Sequence, residues 1–303
     1  MSGSDVLIEV SALTRRFGAK TALDSVDVSV RRGAVYGLVG ANGAGKTTLI
    51  RHILGLLRAE SGTVRVFGLD PVSDPVGVLS RIGYLAEEND LPPWMRVDEL
   101  FRYSRAFYPN WDVQYEAELQ SVFGLDATGR LRNLSKGQKA RAGLVTALAH
   151  RPPLVLLDEP SSGLDPIVRR DILGAVFRTM ADEGRTVFFS SHLLDEVERV
   201  ADHVTMMSNG RVVMSASLRS MIERHRRLTV RFAGSPGGPP DDSGALRWEA
   251  RGDLWEAIVD GDSARLRERL ASQRAEVVSD RAATLDEIFV GHVGSRADTA
   301  GEG

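Results

Sequence analysis

The stretch GANGAGKTT, Gly40 to Thr48, follows directly on the apolar run AVYGLVG and opens a segment of helical texture from Lys46 to about Leu57. Its spacing fits G-x-x-x-x-G-K-[ST], the loop that wraps phosphate groups. Such a loop needs a strand to deliver it and a helix N-terminus behind it, which confines the chain to parallel α/β architectures. Gly40, Gly43 and Gly45 let the backbone approach phosphate closely, while Asn42, Ala44 and Thr48 complete the turn. Lys46 is placed to reach β- and γ-phosphates, and the Thr47 hydroxyl to ligate Mg²⁺.

A second element supports that reading. LVLLDEP, Leu154 to Pro160, is an apolar strand that ends in two carboxylates, where an open parallel sheet places its ligands. Asp158 is expected to hold Mg²⁺ directly or through water, and Glu159 to orient and polarise an attacking water. Alone, a strand ending in Asp-Glu says little, because acids also decorate loop starts. A third element lies at Ser135 and Gln138, whose spacing forms a capping box with Gly137 inside the first helical turn. A helix start of this kind also suits a phosphate, so the chain carries two cradles.

Between these motifs the texture alternates. Short β-rich runs precede the phosphate loop, strand-like signals run from Val64 to Tyr84, and apolar residues at helical spacing follow, with Asp112 as a cap and Gly124 as a stop. The strand LVLLDEP, a helix from Val168 to Ala181 and the strand TVFFSSH then give parallel-sheet alternation. A hairpin about Asn209 and Gly210 closes a first domain, residues 1–225, with a helical insert over about 88–150. Residues 226–295 read as a small α/β domain with a hairpin about Gly252, a helix at ARLRERLASQ and a last helix at ATLDEIFVGHV. The run SPGGPPDDSG reads as a flexible loop and 296–303 as a tail.

Composition narrows the function classes. With 38 basic and 41 acidic residues among 303, the net charge of −3 provides no global field for nucleic acid, which is not expected as a partner. The absence of cysteine excludes disulfides, Cys-ligated metal and thiol catalysis. No run approaches the ~18 apolar residues of a spanning helix, and no secretory leader is visible.

Over about residues 5 to 225 the sequence resembles the ATP-binding-cassette (ABC) ATPases, the nucleotide-binding subunits of ABC transporters. GANGAGKT, LSKGQ, LVLLDEP, SSGLD and His192 in FFSSHLLDE appear in family order. The resemblance implies a P-loop core with an antiparallel β subdomain and helical insert, hydrolysis of ATP with Mg²⁺, and two cassettes meeting head to tail. It also explains the second cradle, because Ser135, Gly137 and Gln138 match the signature that contacts the γ-phosphate bound by the opposite cassette. Asp165 matches the residue that connects the two sites, and His192 the switch histidine at the γ-phosphate. Taken by itself, His192 reads as an ordinary surface or core histidine. Phe17 matches the aromatic that stacks on adenine.

Two positions depart from the common pattern. Glu87 replaces the glutamine expected to reach Mg²⁺ and the γ-phosphate; a carboxylate is also a hard oxygen ligand. Lys136 stands where glycine is usual. Both variants, with FYPNWD and the ending TLDEIFVGHV, resemble the bacterial ATPases of ABC-2 type exporters. A membrane permease is then the expected partner, beside a second ABC ATPase subunit, and the expected location is cytoplasmic, on the inner face of the cell membrane. The alternative is a non-transport regulatory ATPase that uses the C-terminal domain as an interaction module. A translation-factor-like reading needs two cassettes in one chain, and a chromosome-maintenance reading needs a long coiled coil; neither is present.

Overall fold

The computed structural model describes residues 5–88, 90–164, 169, 173–174, 184–232 and 244–297. Two compact units emerge: Met1–Leu193 with Met207–Val212, and Leu194–Met206 with Val213–Gly303.

In the first unit, β1 (Val6–Phe17) pairs antiparallel with β2 (Lys20–Arg31) and β4 (Ser61–Val66). The pairing follows from period-two patterning. Val26, Val28 and Val30 are buried while Asp27, Ser29 and Arg31 face solvent. The parallel strands β3 (Val35–Val39), β5 (Ile82–Leu85), β6 (Leu154–Leu157) and β7 (Thr186–Ser191) lie in the order β5-β6-β7-β3. β6 and β7 are buried along their whole length, as apolar strands covered on both faces must be. β8 (His203–Ser208) and β9 (Arg211–Ser217) are joined by the turn at Asn209 and Gly210, and their facing ends, with that turn, make up the Met207–Val212 part of this unit.

The phosphate-loop helix α1 (Lys46–Ile53) is shorter than expected. It stops because Gly55 adopts φ +72°, where a side chain would collide with the Pro71 carbonyl. The strand-like reading of Val64 to Tyr84 also needs correction, since a one-turn helix, α2 (Pro75–Leu79), interrupts it. The Asp74 carboxylate caps it by accepting the Gly77 N–H at 2.9 Å, and Pro75 supplies a preset φ. The helical insert contains α3 (Val97–Arg105), α4 (Val113–Val122) and α5 (Lys136–Leu148). Asp112 caps α4 through the Tyr115 N–H, and Gly124 ends that segment at φ +60°.

In the second unit, α6 (Leu194–Val200) and α7 (Leu218–Arg224) accompany a four-stranded antiparallel sheet. Its strands are β10 (His225–Phe232), β11 (Ala245–Arg251), β12 (Leu254–Asp260) and β13 (Ala275–Ala282), ordered β11-β12-β10-β13. Leu228, Val230, Ala257 and Val259 form its core with Leu266 and Leu270 of α8 (Ala264–Ser272), and α9 (Leu285–Ala297) ends the described chain. No helix among the described residues is long and apolar enough to cross a membrane. Asp165, most of the helix expected at Val168 to Ala181, and nearly all of SPGGPPDDSG lie outside the described residues.

Candidate nucleotide site

β3 delivers the chain into the glycine loop, and the loop's shape depends on missing side chains. A Cβ on Gly40 would lie 2.5 Å from the Met207 carbonyl oxygen, and one on Gly45, at φ +108°, 2.6 Å from that of Ala22. Ala44 is buried and braced, donating its N–H to Ala41 and accepting the Gly210 N–H at 3.1 Å. Lys46 then projects its buried ammonium among three oxygens: Gly40 O at 2.6 Å, Ala41 O at 3.4 Å and Glu159 Oε1 at 3.0 Å. The last contact is an ion pair by charge and distance, without hydrogen-bond alignment at Oε1. A cavity of about 290 Å³ opens beside this loop, lined by Asn42, Gly43, Gly45, Lys46, Thr47 and Thr48 together with Phe17, Lys20, Ala22, Glu87 and Glu159.

The carboxylates at the end of β6 are held from β7. Ser190 donates its hydroxyl to Asp158 Oδ1 at 2.6 Å and accepts the Glu159 N–H at 2.9 Å. Burial pushes the Asp158 carboxyl above its ordinary range, opposed by hydrogen bonds from Ser190 and the Thr47 hydroxyl. Glu159 sits at φ +47°, a left-handed conformation uncommon for a side chain of its length. Its Oε2 accepts from His192 at Nδ1, 2.7 Å, and at the backbone N–H, 3.3 Å. Lys46 and His192 therefore grip opposite oxygens of one carboxylate.

The donor set also fits a hard divalent cation. The Thr47 hydroxyl already touches the Asp158 carboxylate. Glu87 is exposed at the rim of the same cavity, its carboxylate accepting, among the described residues, a long bond of 3.4 Å from Ser162 Oγ. Three oxygen donors of this chemistry suit Mg²⁺.

The capping box forms as expected. Ser135 Oγ accepts the Gln138 N–H at 3.2 Å, and Gln138 Oε1 accepts the Ser135 N–H at 2.9 Å. Ser135, Gly137 and Gln138 do not line the phosphate-loop cavity of their own chain; Ser135 and Gln138 are exposed. Lys136 instead shares a separate cavity of about 270 Å³ with Glu87, Glu159 and Ser162. Phe17 is 46% exposed, and the Arg15 guanidinium stands 4.8 Å from its ring centroid. Lys20 and Ser190 were not apparent in the sequence. Lys20 opens β2 just past the short turn after Phe17, with no motif to mark it, and Ser190 acquires its neighbours only through strand pairing.

This loop, these carboxylates and this histidine, on a parallel sheet with an antiparallel β subdomain, define a P-loop ATPase of the ABC class. The family model described as ABC transporter matches residues 23–162. The bacitracin transport ATP-binding protein BcrA of Enterococcus faecalis is 32% identical over 231 residues, 74% of each chain. The daunorubicin/doxorubicin resistance ATP-binding protein DrrA of Streptomyces peucetius is 37% identical over 211 residues, 68% of this chain and 64% of that one. A solved structure described as the ATP-binding subunit of an ABC transporter superposes with a TM-score of 0.66 at 30% identity, covering 72% of this chain and 92% of that one. The chain belongs to the ATP-binding subunits of ABC transporters and is an ATPase that couples hydrolysis to transport. Subunits of this family dimerise and work with membrane components.

Proposed function

We propose that this chain powers an ABC-2 type exporter by closing as a dimer on MgATP, with ATP hydrolysis reopening it against a membrane permease. The observation that carries the reading is the convergence of Lys46, Glu159 and His192 at the mouth of the phosphate loop. The names of BcrA and DrrA, which concern bacitracin transport and drug resistance, favour export. The location that follows is cytoplasmic, at the inner face of a bacterial membrane, through the permease.

Each residue has a part in this reading. Lys46 neutralises the β- and γ-phosphates, with the Gly40 to Thr48 amides around them, and Phe17 stacks on adenine. Thr47, Asp158 and Glu87 hold Mg²⁺. When bound, the cation neutralises charge on the β- and γ-oxygens. Glu159 orients the attacking water and takes its proton, while His192 fixes the carboxylate's direction and reaches the γ-phosphate. Ser135, Gly137 and Gln138 serve the nucleotide of the opposite subunit, and Asp165 connects the two sites.

Glu159→Gln keeps the shape and removes the charge. MgATP affinity stays within a few-fold of the parent, turnover falls by roughly 10²–10⁴, and the variant elutes as an ATP-bound dimer in size-exclusion chromatography. Parental turnover, or a monomer at saturating MgATP, overturns the proposal.

A further inference from the structure

The second unit carries a side-chain cluster for which nucleotide chemistry has no use. His225 opens β10 and Asp260 closes β12, and the antiparallel register sets the two directly opposite each other. His292 meets them from α9. The Nε2 atoms of His225 and His292 are 3.0 Å apart, and His225 Nε2 is 3.6 Å from Asp260 Oδ1. One donor atom from each of the three residues lies within 4.8 Å of the other two. Two nitrogens held about 2.0–2.1 Å from one ion, at the angles of tetrahedral or octahedral coordination, stand about 2.9–3.4 Å apart. The ring nitrogens are at that spacing.

Their orientation agrees. His225 is fully buried, and its Nδ1 lies 2.7 Å from the Met221 carbonyl oxygen. A neutral ring held this way donates from Nδ1 and turns the Nε2 lone pair toward His292 and Asp260. That is how a carbonyl in the outer shell aims a metal-binding imidazole. Asp260 is also paired with Arg224, which contacts both carboxylate oxygens, Nη2 reaching Oδ2 at 3.0 Å. The Arg224 side chain is 59% exposed, so this pair yields easily, and a carboxylate has lone pairs for both partners.

We infer that His225, Asp260 and His292 bind a divalent transition metal of the zinc class. Two imidazoles and one carboxylate suit Zn²⁺ or Co²⁺, whereas Mg²⁺ and Ca²⁺ favour all-oxygen sets. Three protein ligands leave a fourth position for water. As the ion binds, the proton between the two Nε2 atoms moves to Nδ1 of His292 or is released. The ion ties the first residue of β10, the last of β12 and the terminal helix together within the second unit.

The test uses the full chain, stripped of metal by chelation and titrated with Zn²⁺ and then Co²⁺ in the absence of nucleotide. One equivalent of Zn²⁺ per chain is expected, with micromolar or tighter affinity, and Co²⁺ is expected to develop visible bands of nitrogen ligation. His292→Gln and Asp260→Asn, two partly exposed positions so that misfolding of one does not decide the matter, each weaken Zn²⁺ binding by roughly tenfold or more. MgATP affinity is unchanged in both. Absence of Zn²⁺ binding in the parent, or equal affinity in parent and both variants, overturns the assignment.

Discussion

Ser190 has no exposed surface, yet it serves both acidic residues of the nucleotide site: as donor to Asp158 and as acceptor for the backbone of Glu159. Its hydroxyl lowers the proton affinity that burial gives Asp158 and holds Glu159 in its left-handed backbone. Ser190→Ala therefore leaves two buried groups short of a partner, at about 1–3 kcal/mol. Turnover is expected to fall about tenfold or more. The Asp158 carboxyl then holds its proton to higher pH, so the acid limb of kcat/KM moves upward; a limb that stays in place in a pH–rate series counts against this account. The phosphate loop and the two acids were legible in the sequence because each is a local string with a chemical reason. Ser190 was not, since only the parallel pairing of Leu157 with Phe189 brings the next residue on each strand together.

Among the elements, α5 begins with a capping box that the spacing of Ser135 and Gln138 announced, and the Asp112 cap and Gly124 stop were equally readable. β13 was not. Its polar sequence AEVVSDRA, at the edge of its sheet, lacks the apolar alternation that marks a half-buried strand. At the start of α5, Gly137→Asp places bulk and negative charge where a partner's phosphate is proposed to dock. ATPase activity should nearly vanish while nucleotide affinity of the monomer is retained; parallel loss of both, measured by nucleotide titration and turnover, argues for a role within the chain's own fold. Past the other end of α5, His150 is buried and stacks on Tyr108, ring centroids 3.8 Å apart. Burial depresses its pKa to about 4, against a hydrogen bond to the Ile82 carbonyl that favours the charged ring. The unfolded chain takes up this proton near pH 6.5, so the stabilisation is complete above that pH and is lost as pH falls toward 4. Between pH 7 and pH 5 the loss is about 2 kcal/mol. His150→Phe keeps the stack and removes the titration, so urea midpoints at the two pH values should converge; an undiminished gap assigns the acid sensitivity elsewhere.

At the scale of the molecule, the first unit is discontinuous in sequence and closes only with Met207–Val212. Gly210 accepts the Asp24 N–H at 2.8 Å and donates to Ala44, and Arg211 pairs with Asp24. A chain cut after Leu193 keeps all the residues proposed to meet phosphate yet loses these braces, whereas one ending at Arg224 keeps them. The shorter chain should lose MgATP binding and cooperative unfolding, and the longer should retain both; calorimetry showing equal transitions in the two would refute the dependence. The same discontinuity sets an order of events on the ribosome. The glycine loop is synthesised long before the turn that braces it, and from Thr48 to Gly210 roughly 160 residues must be added. At about 5–20 residues per second, that is on the order of 8–30 s. Through that interval the nascent cassette holds an unfinished sheet edge, whose unpaired backbone groups are open to pairing with another chain.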